Sequence, residues 1–225
     1  MAESHKVLKD THKGEDIWVI AAGPSMDHVD ADFFEGKVVL GCNRVNKKFP
    51  CTYTIHKELS TMTNSILPHI REFQKNSKLI LSERRFADYG GVKNPTEHAD
   101  YIFTHPPKHN QKPDLNCIGK SDDIVVSYST ITSALHMAAY MGAKNIIICG
   151  HDCGTLGGRS VFKNYYTHNF KPHQGTQAKY IKWIKSGLEQ HTIDVANRIR
   201  EVYGIGVHSL NPFINFGLEG HEYSR

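Results

Sequence analysis

Long apolar runs are missing from this chain. The longest, around residues 17–22 and 146–149, fall far short of the roughly 20 residues that a membrane-spanning helix needs, so no span is expected. Residues 1–16 are polar and charged and contain no apolar segment of the signal-peptide kind. Cysteine is sparse: Cys42, Cys51, Cys117, Cys149 and Cys153 make an odd count with no CxxC spacing. That excludes a disulfide framework and points to a reducing, cytoplasmic setting. Basic runs are absent too. Lys and Arg total 27 against 23 acidic residues, without the clustered basic face of a duplex binder, so no nucleic-acid partner is expected. Without repeats or low-complexity tracts, collagen, coiled coil and disorder drop out. There remain 225 residues, 39% of them hydrophobic, enough for a core that buries roughly 70% of the unfolded chain's surface. One domain spanning 1–225 is expected.

Several catalytic signatures are also missing. There is no GxxxxGK[ST] loop and no GxGxxG fingerprint. Without a GxSxG elbow, a hydrolase triad has no support. The 15 histidines suggest a metal, but HExxH is absent, and Pro106 and Pro107 between His105 and His109 exclude a helix. Cys149 and Cys153 bracket His151, yet Cys149 belongs to an apolar run. No tight ligand spacing of the zinc kind stands out, and no metal is expected.

What is present is an alternation of short apolar runs with helical patterns. Strands are expected at 17–22, 37–42, 52–56, 78–81, 124–127, 145–149 and 207–210. Helical spacing marks 64–75, 129–141 (stopped by Gly142) and 176–203, broken near Gly187 and stopped by Gly204. The run Ile146-Ile147-Ile148-Cys149 suits a strand buried on both faces. This order predicts an α/β, Rossmann-like three-layer sandwich with a mostly parallel sheet. Residues 84–123 and 151–175, rich in Gly, Asn and His, are read as long lid-like loops.

In such a sheet, ligands bind outside the carboxyl ends of the strands. There the sequence places Gly23, Pro24 and Ser25, then Asn43 and Arg44, then His56 and Lys57, then Ser127, Thr130, Thr132 and Ser133, and then Gly150, His151 and Asp152. This predicts a polar ligand such as a nucleotide. Gly23-Pro24-Ser25 serves either a close backbone approach to an anion or an ordinary turn capped by Ser25. Asn43 is either a base or ribose reader or a turn residue. Asp152 binds ribose, orients a partner, holds a metal or caps a turn. Thr132 and Ser133 either point at the ligand or cap their helix. Tyr165, Tyr166, His168, Lys171 and His173 form a polar-aromatic cluster. In it, tyrosine hydroxyls can donate to a leaving phosphate and a histidine can take a proton.

The series Trp18-Val-Ile-Ala-Ala-Gly-Pro-Ser25, Gly41-Cys-Asn43, Thr132-Ser133, Gly142-Ala-Lys-Asn-Ile-Ile-Ile-Cys-Gly150-His-Asp152 and Tyr203-Gly-Ile-Gly-Val-His-Ser-Leu-Asn-Pro212 resembles a known superfamily. Its members are the bacterial lipooligosaccharide sialyltransferases and the archaeal 6-hydroxymethylpterin diphosphokinase-like domains. Flagellin-glycosylation and phage-encoded proteins are similar too. The resemblance spans about residues 17–212. It implies a domain that binds a nucleotide or a nucleotide-activated donor. Carried over from the sialyltransferases, Gly23, Pro24, Ser25, Asn43 and Ser133 would contact a CMP donor, without a cofactor or metal. Two tyrosines would serve the phosphate and a histidine would be the base. Tyr165 and Tyr166 are adjacent here rather than spaced, and His168, His173 and His191 compete for the base. The expected activity is glycosyl transfer from a nucleotide-activated sugar. The alternatives are ATP-dependent pyrophosphoryl transfer, with Mg2+ near Asp152, or a non-catalytic nucleotide-binding module. A homo-oligomer is compatible with all three.

Overall fold

In a computed structural model, the described residues are 2–57, 76–83, 99–106, 112–153, 159–165 and 187–210. Eight strands among them form one parallel sheet. They are β1 (Glu3–Ser4), β2 (Asp16–Ile20), β3 (Val38–Cys42), β4 (Tyr53–His56), β5 (Lys78–Ser82), β6 (Tyr101–Phe103), β7 (Asn145–Cys149) and β8 (Gly206–Ser209). Their spatial order is β1-β6-β5-β4-β3-β2-β7-β8. The chain runs outward from β2 through β3, β4, β5 and β6, then returns to β7 on the other side of β2. The reversal of strand order falls between β2 and β7, where such sheets hold ligands.

Side chains alternate across the sheet, as a period of two requires. Ile17, Val19, Leu40, Ile55, Ile146 and Ile148 face one buried cluster with α1 (Thr130–Tyr140) and α2 (Leu188–Tyr203). Ile20, Val39 and Cys149 face another with Met26, Phe34, Val45, Phe49, Phe162 and Tyr165. This second layer is built from short turns rather than long helices. Every residue of α1 is buried, because the sheet covers one side and α2 packs on the helix as well. α2 keeps the amphipathic spacing of an outer helix, burying Leu188, His191, Thr192, Val195, Ala196 and Ile199. Gly142 ends α1 with φ +86°, a conformation that costs glycine little. The N–H groups of Asp10, His12 and Gly14 then cap the carbonyls of Tyr140, Met141 and Gly142 at 2.9–3.1 Å. All five cysteines are free and buried.

Two expectations need correction. Residues 124–127 join no strand. The Ile124 N–H donates to the Thr104 carbonyl at 2.8 Å, and the Val125 N–H to His136 Nδ1 at 3.0 Å. The Ser133 hydroxyl donates to the Val125 carbonyl at 2.8 Å. Side chains of α1 thus satisfy backbone groups that a ladder would otherwise take. Nor is 84–123 loop throughout: it contains β6, which pairs with β5 and receives β1 on its outer side. The expected helix at 64–75 and the first part of the one at 176–203 lie outside the described residues.

His136→Leu leaves the buried Val125 N–H without an acceptor and should cost about 1–3 kcal/mol. Urea unfolding, with His136→Asn as the variant that can still accept, measures it.

Candidate functional site

The site is built where β2 and β7 end side by side. The Ala21 N–H donates to the Cys149 carbonyl at 2.8 Å, and the Gly23 N–H to the Gly150 carbonyl at 2.7 Å. The Ser25 N–H donates to Asp152 Oδ2 at 2.7 Å, and its hydroxyl to Oδ1 at 2.5 Å. The two loops therefore close on each other with no room between them. A Cβ on Gly23 would sit 2.3 Å from Asp152 Oδ2 and from the Gly150 carbonyl. Gly150, at φ +71°, would drive a Cβ to 2.4 Å from Met26 Cγ and 2.5 Å from the Ala21 carbonyl. Burial pushes the Asp152 carboxyl above its ordinary pKa; both Ser25 bonds pull the other way without cancelling it.

Asn43 leaves β3 with φ +57°, a conformation that asparagine tolerates better than most residues. Its Oδ1 accepts the Thr130 hydroxyl at 3.3 Å, which ties the end of β3 to the first turn of α1. The hydroxyls of that turn are largely engaged within the protein. Thr132 bonds Ser127 Oγ and the Ser129 carbonyl, both at 2.9 Å, and Ser133 bonds Val125. Lys57, buried at the end of β4, donates its ammonium to the carbonyls of Ser127 and Tyr128 and so holds the approach to α1.

The structure joins Gly23, Pro24, Ser25, Gly150 and Asp152 into one junction, with Asn43 one strand away. It places Tyr165 elsewhere. Residues 159–165 strap across the second layer, where Asp27 accepts Arg159 Nη1 at 2.6 Å and the Lys163 N–H at 2.8 Å. Burial raises the Asp27 pKa, but the Lys163 and Arg159 bonds outweigh it and the net shift is downward. Tyr165 is buried there, its ring edge-on to Phe162 with centroids 5.1 Å apart. Tyr166, His168 and His173 lie outside the described residues. His191 is buried on α2, and among the described residues its Nδ1 meets no hydrogen-bond partner.

The sequence reading placed His151 and His56 at the ligand edge of the sheet but gave neither a role. His151 Nε2 meets Thr192 Oγ1 at 2.8 Å and Cys153 Sγ at 3.3 Å. The Thr192 hydroxyl in turn donates to the Leu188 carbonyl at 3.2 Å, so the ring must supply the proton shared with Thr192. The loop after β7 is thereby tied to the first turn of α2. Position after an apolar strand was the available signal for both histidines. Among the described residues, no three His, Cys, Asp or Glu side chains group to hold a metal.

Gly23→Ala should destabilise by about 1–3 kcal/mol or more, since the obstructing carbonyl is backbone. Asp152→Ala should cost about 2–4 kcal/mol by stranding the Ser25 N–H, and Asp152→Asn less. Chemical denaturation measures both. Burial also depresses three imidazoles from 6.5: His56 to about 4, His136 to about 3 and His151 to about 4. Each folded value lies below the unfolded one, so the unfolded chain binds more protons as pH falls. Stability is full above the unfolded pKa and drops below it, by up to about 1.4 kcal/mol per pH unit for each ring. Urea midpoints should therefore fall between pH 6.5 and 4.

No family model matches this chain. Over 66 residues it is 35% and 33% identical to proteins named carbonic anhydrase from two Helicobacter pylori strains. That match takes 29% of this chain, which spans only 30% of the length of those relatives. Solved structures are similar over nearly the whole chain. The Campylobacter jejuni sialyltransferase CstII, in complex with cytidine-5'-monophosphate, is 17% identical with a TM-score of 0.54, covering 93% of this chain and 85% of that one. CstII with a trisaccharide acceptor and CMP gives 14% and 0.51, covering 92% and 86%. The monofunctional sialyltransferase Cst-I of the same organism gives 11% and 0.50, covering 91% and 78%. At these identities the likeness is one of fold: this chain shares the α/β fold of those sialyltransferase structures.

Proposed function

We propose that the protein is a glycosyltransferase-like enzyme that uses a nucleotide-activated sugar, CMP-linked, on a hydroxyl acceptor. The observation that carries this reading is the closed junction of Gly23-Pro24-Ser25 with Gly150 and Asp152 at the reversal of strand order. Asn43 stands beside it, in a fold shared with proteins solved around CMP. The junction brings backbone close to where a nucleotide would lie, and no side chain other than glycine's fits at position 23. Among the described residues, Asn43 has an amide nitrogen that no bond takes up, a donor suited to a base, ribose or carboxylate oxygen. Thr132 and Ser133 would act by fixing the first turn of α1, since their hydroxyls already bond the protein.

In the proposed reaction the acceptor oxygen attacks the anomeric carbon and the bond from that carbon to the CMP phosphate breaks. The electron pair leaves on the phosphate. The acceptor proton passes to an imidazole, His173 or His168, while a hydroxyl of Tyr165 or Tyr166 steadies the departing charge. Burial of Tyr165 against Phe162 favours Tyr166 for that role.

Calorimetric titration with CMP and CMP-sialic acid should show saturable binding, and the donor should be consumed faster than in buffer. Asn43→Ala should weaken CMP binding by about tenfold, the worth of one hydrogen bond. Absence of binding together with background donor hydrolysis overturns the reading.

A further inference from the structure

At the amino edge of the sheet, opposite the junction, α1 and α2 end beside the starts of β7 and β8. A cavity of about 530 Å³ opens there, a size that suits a small molecule. Its apolar lining comes from Ala143 and Ile205 with Tyr140 and Tyr203. The Tyr140 hydroxyl donates to Asp122 Oδ1 at 3.0 Å, and Asp122 Oδ2 meets Lys6 Nζ at 3.2 Å, so that ring is fixed. Lys9, Lys13 and Lys120 also line the cavity and are exposed. Lys9 Nζ lies 5.8 Å from the centre of the Tyr140 ring. Among the described residues, no hydrogen bond or ion pair engages the ammonium of Lys13 or Lys120.

Asp10 lines the same cavity and is held there at a cost. Its φ is +57°, a conformation that glycine takes more readily. Its N–H caps the Tyr140 carbonyl at 3.1 Å, which puts a carboxylate at the C-terminal end of α1, where the helix dipole disfavours negative charge. The lysines complement that dipole, whereas Asp10 opposes it. The cap uses only the backbone of Asp10. Among the described residues its carboxylate accepts no hydrogen bond and joins no ion pair. A glycine would keep the cap without the strain or the charge. Backbone strain of this kind gathers where a ligand is held, and an acceptor left unused in a lysine-lined cavity suits a ligand that brings its own donor.

We infer that this cavity binds a small hydroxylated anion, namely a sugar that carries a phosphate or a carboxylate. The lysine ammoniums would donate charge-assisted hydrogen bonds to the acidic group. Asp10 would accept a sugar hydroxyl, and the apolar lining with Tyr203 would cover the ring carbons. A neutral sugar leaves the ammoniums unpaired. An anion without hydroxyls meets Asp10 as a like charge. A ligand with both groups satisfies both. The five residues of β7, about 16 Å long, separate this cavity from the junction, and the inference does not rest on the proposed function.

The test titrates the full chain with glucose 6-phosphate, N-acetylneuraminic acid, glucose and inorganic phosphate, followed by backbone amide spectra. At least one of the two sugar acids should shift the amides of Gly119, Gly142 and Ala143 saturably, and the tighter binder tells phosphate from carboxylate. Glucose should leave them in place, and inorganic phosphate should bind at least about fivefold more weakly than that acid. Lys13→Gln combined with Lys120→Gln should weaken binding about tenfold. Asp10→Gly should melt at the same temperature or higher, yet bind the sugar acid about fivefold more weakly. No shift with either acid, shifts confined to Gly23 and Asn43, equal affinity for inorganic phosphate, or undiminished affinity in the lysine variant each overturns the inference. A less stable Asp10→Gly that binds as the wild type does overturns it too. Should Asp10→Gly fail to fold, the amide shifts and the lysine variant decide. None of these outcomes bears on CMP binding at the junction.

Discussion

The rest of the site depends on one close contact, the approach of the loop after β2 to the loop after β7. Two adjacent parallel strands bring their carboxyl ends within hydrogen-bond reach, and the gap holds a glycine Cα and a carboxylate and nothing more. Asp152 takes both polar hydrogens of Ser25, and Gly23 donates to Gly150. The geometry needs glycine at 23 for space and at 150 for conformation. With that junction closed, Pro24–His28 turns back over the second apolar layer. Asp27 can then hold the 159–165 strap through Arg159 and Lys163.

α1 carries the consequence to the other face. It is buried along its whole length, so it cannot shift without disturbing the sheet, α2 and the segment before it. Its first turn is bonded to Asn43, Ser127 and Val125, and its last carbonyls are capped by Asp10, His12 and Gly14. Hydroxyls that read as ligand contacts therefore act as fasteners. What remains without a bond at this edge, among the described residues, is the Asn43 amide nitrogen together with the buried His56 Nε2 and Asn46 Nδ2. Unsatisfied polar groups cost stability in the empty protein, and functional sites are where such costs are tolerated.

Much of the architecture was legible because burial on both faces leaves a strong local mark. The runs that became β2, β3 and β7 hold almost no polar residue, and Gly142 and Gly204 stop their helices as read. The edge strands were not legible. β1 and β6 are two and three residues long, too short for a period of two to register. Residues 124–127 have strand composition but join no strand among the described residues, and the imidazole of His136 takes the place of a ladder partner for Val125. For the site, the junction residues were found because strand ends carry small and polar residues. Tyr165 is a different matter, since its burial against Phe162 depends on where Asp27 anchors the strap, 132 residues from Arg159 in sequence.

By itself, the sequence determined the class of fold and the edge of the sheet where chemistry would gather. Apolar periodicity, glycine and proline are local properties, and their order limits how strands and helices can be laid side by side. Tertiary structure decided which polar groups were already used and which were left over. Ser25, Thr132 and Ser133 look alike in sequence to any free hydroxyl, yet each is bonded inside the protein. His56 looks like any histidine after a strand, yet it is buried and its Nε2 has no partner among the described residues. Hydrogen bonding is pairwise and short in range, so the availability of a donor or acceptor is set by neighbours that only the folded chain brings together.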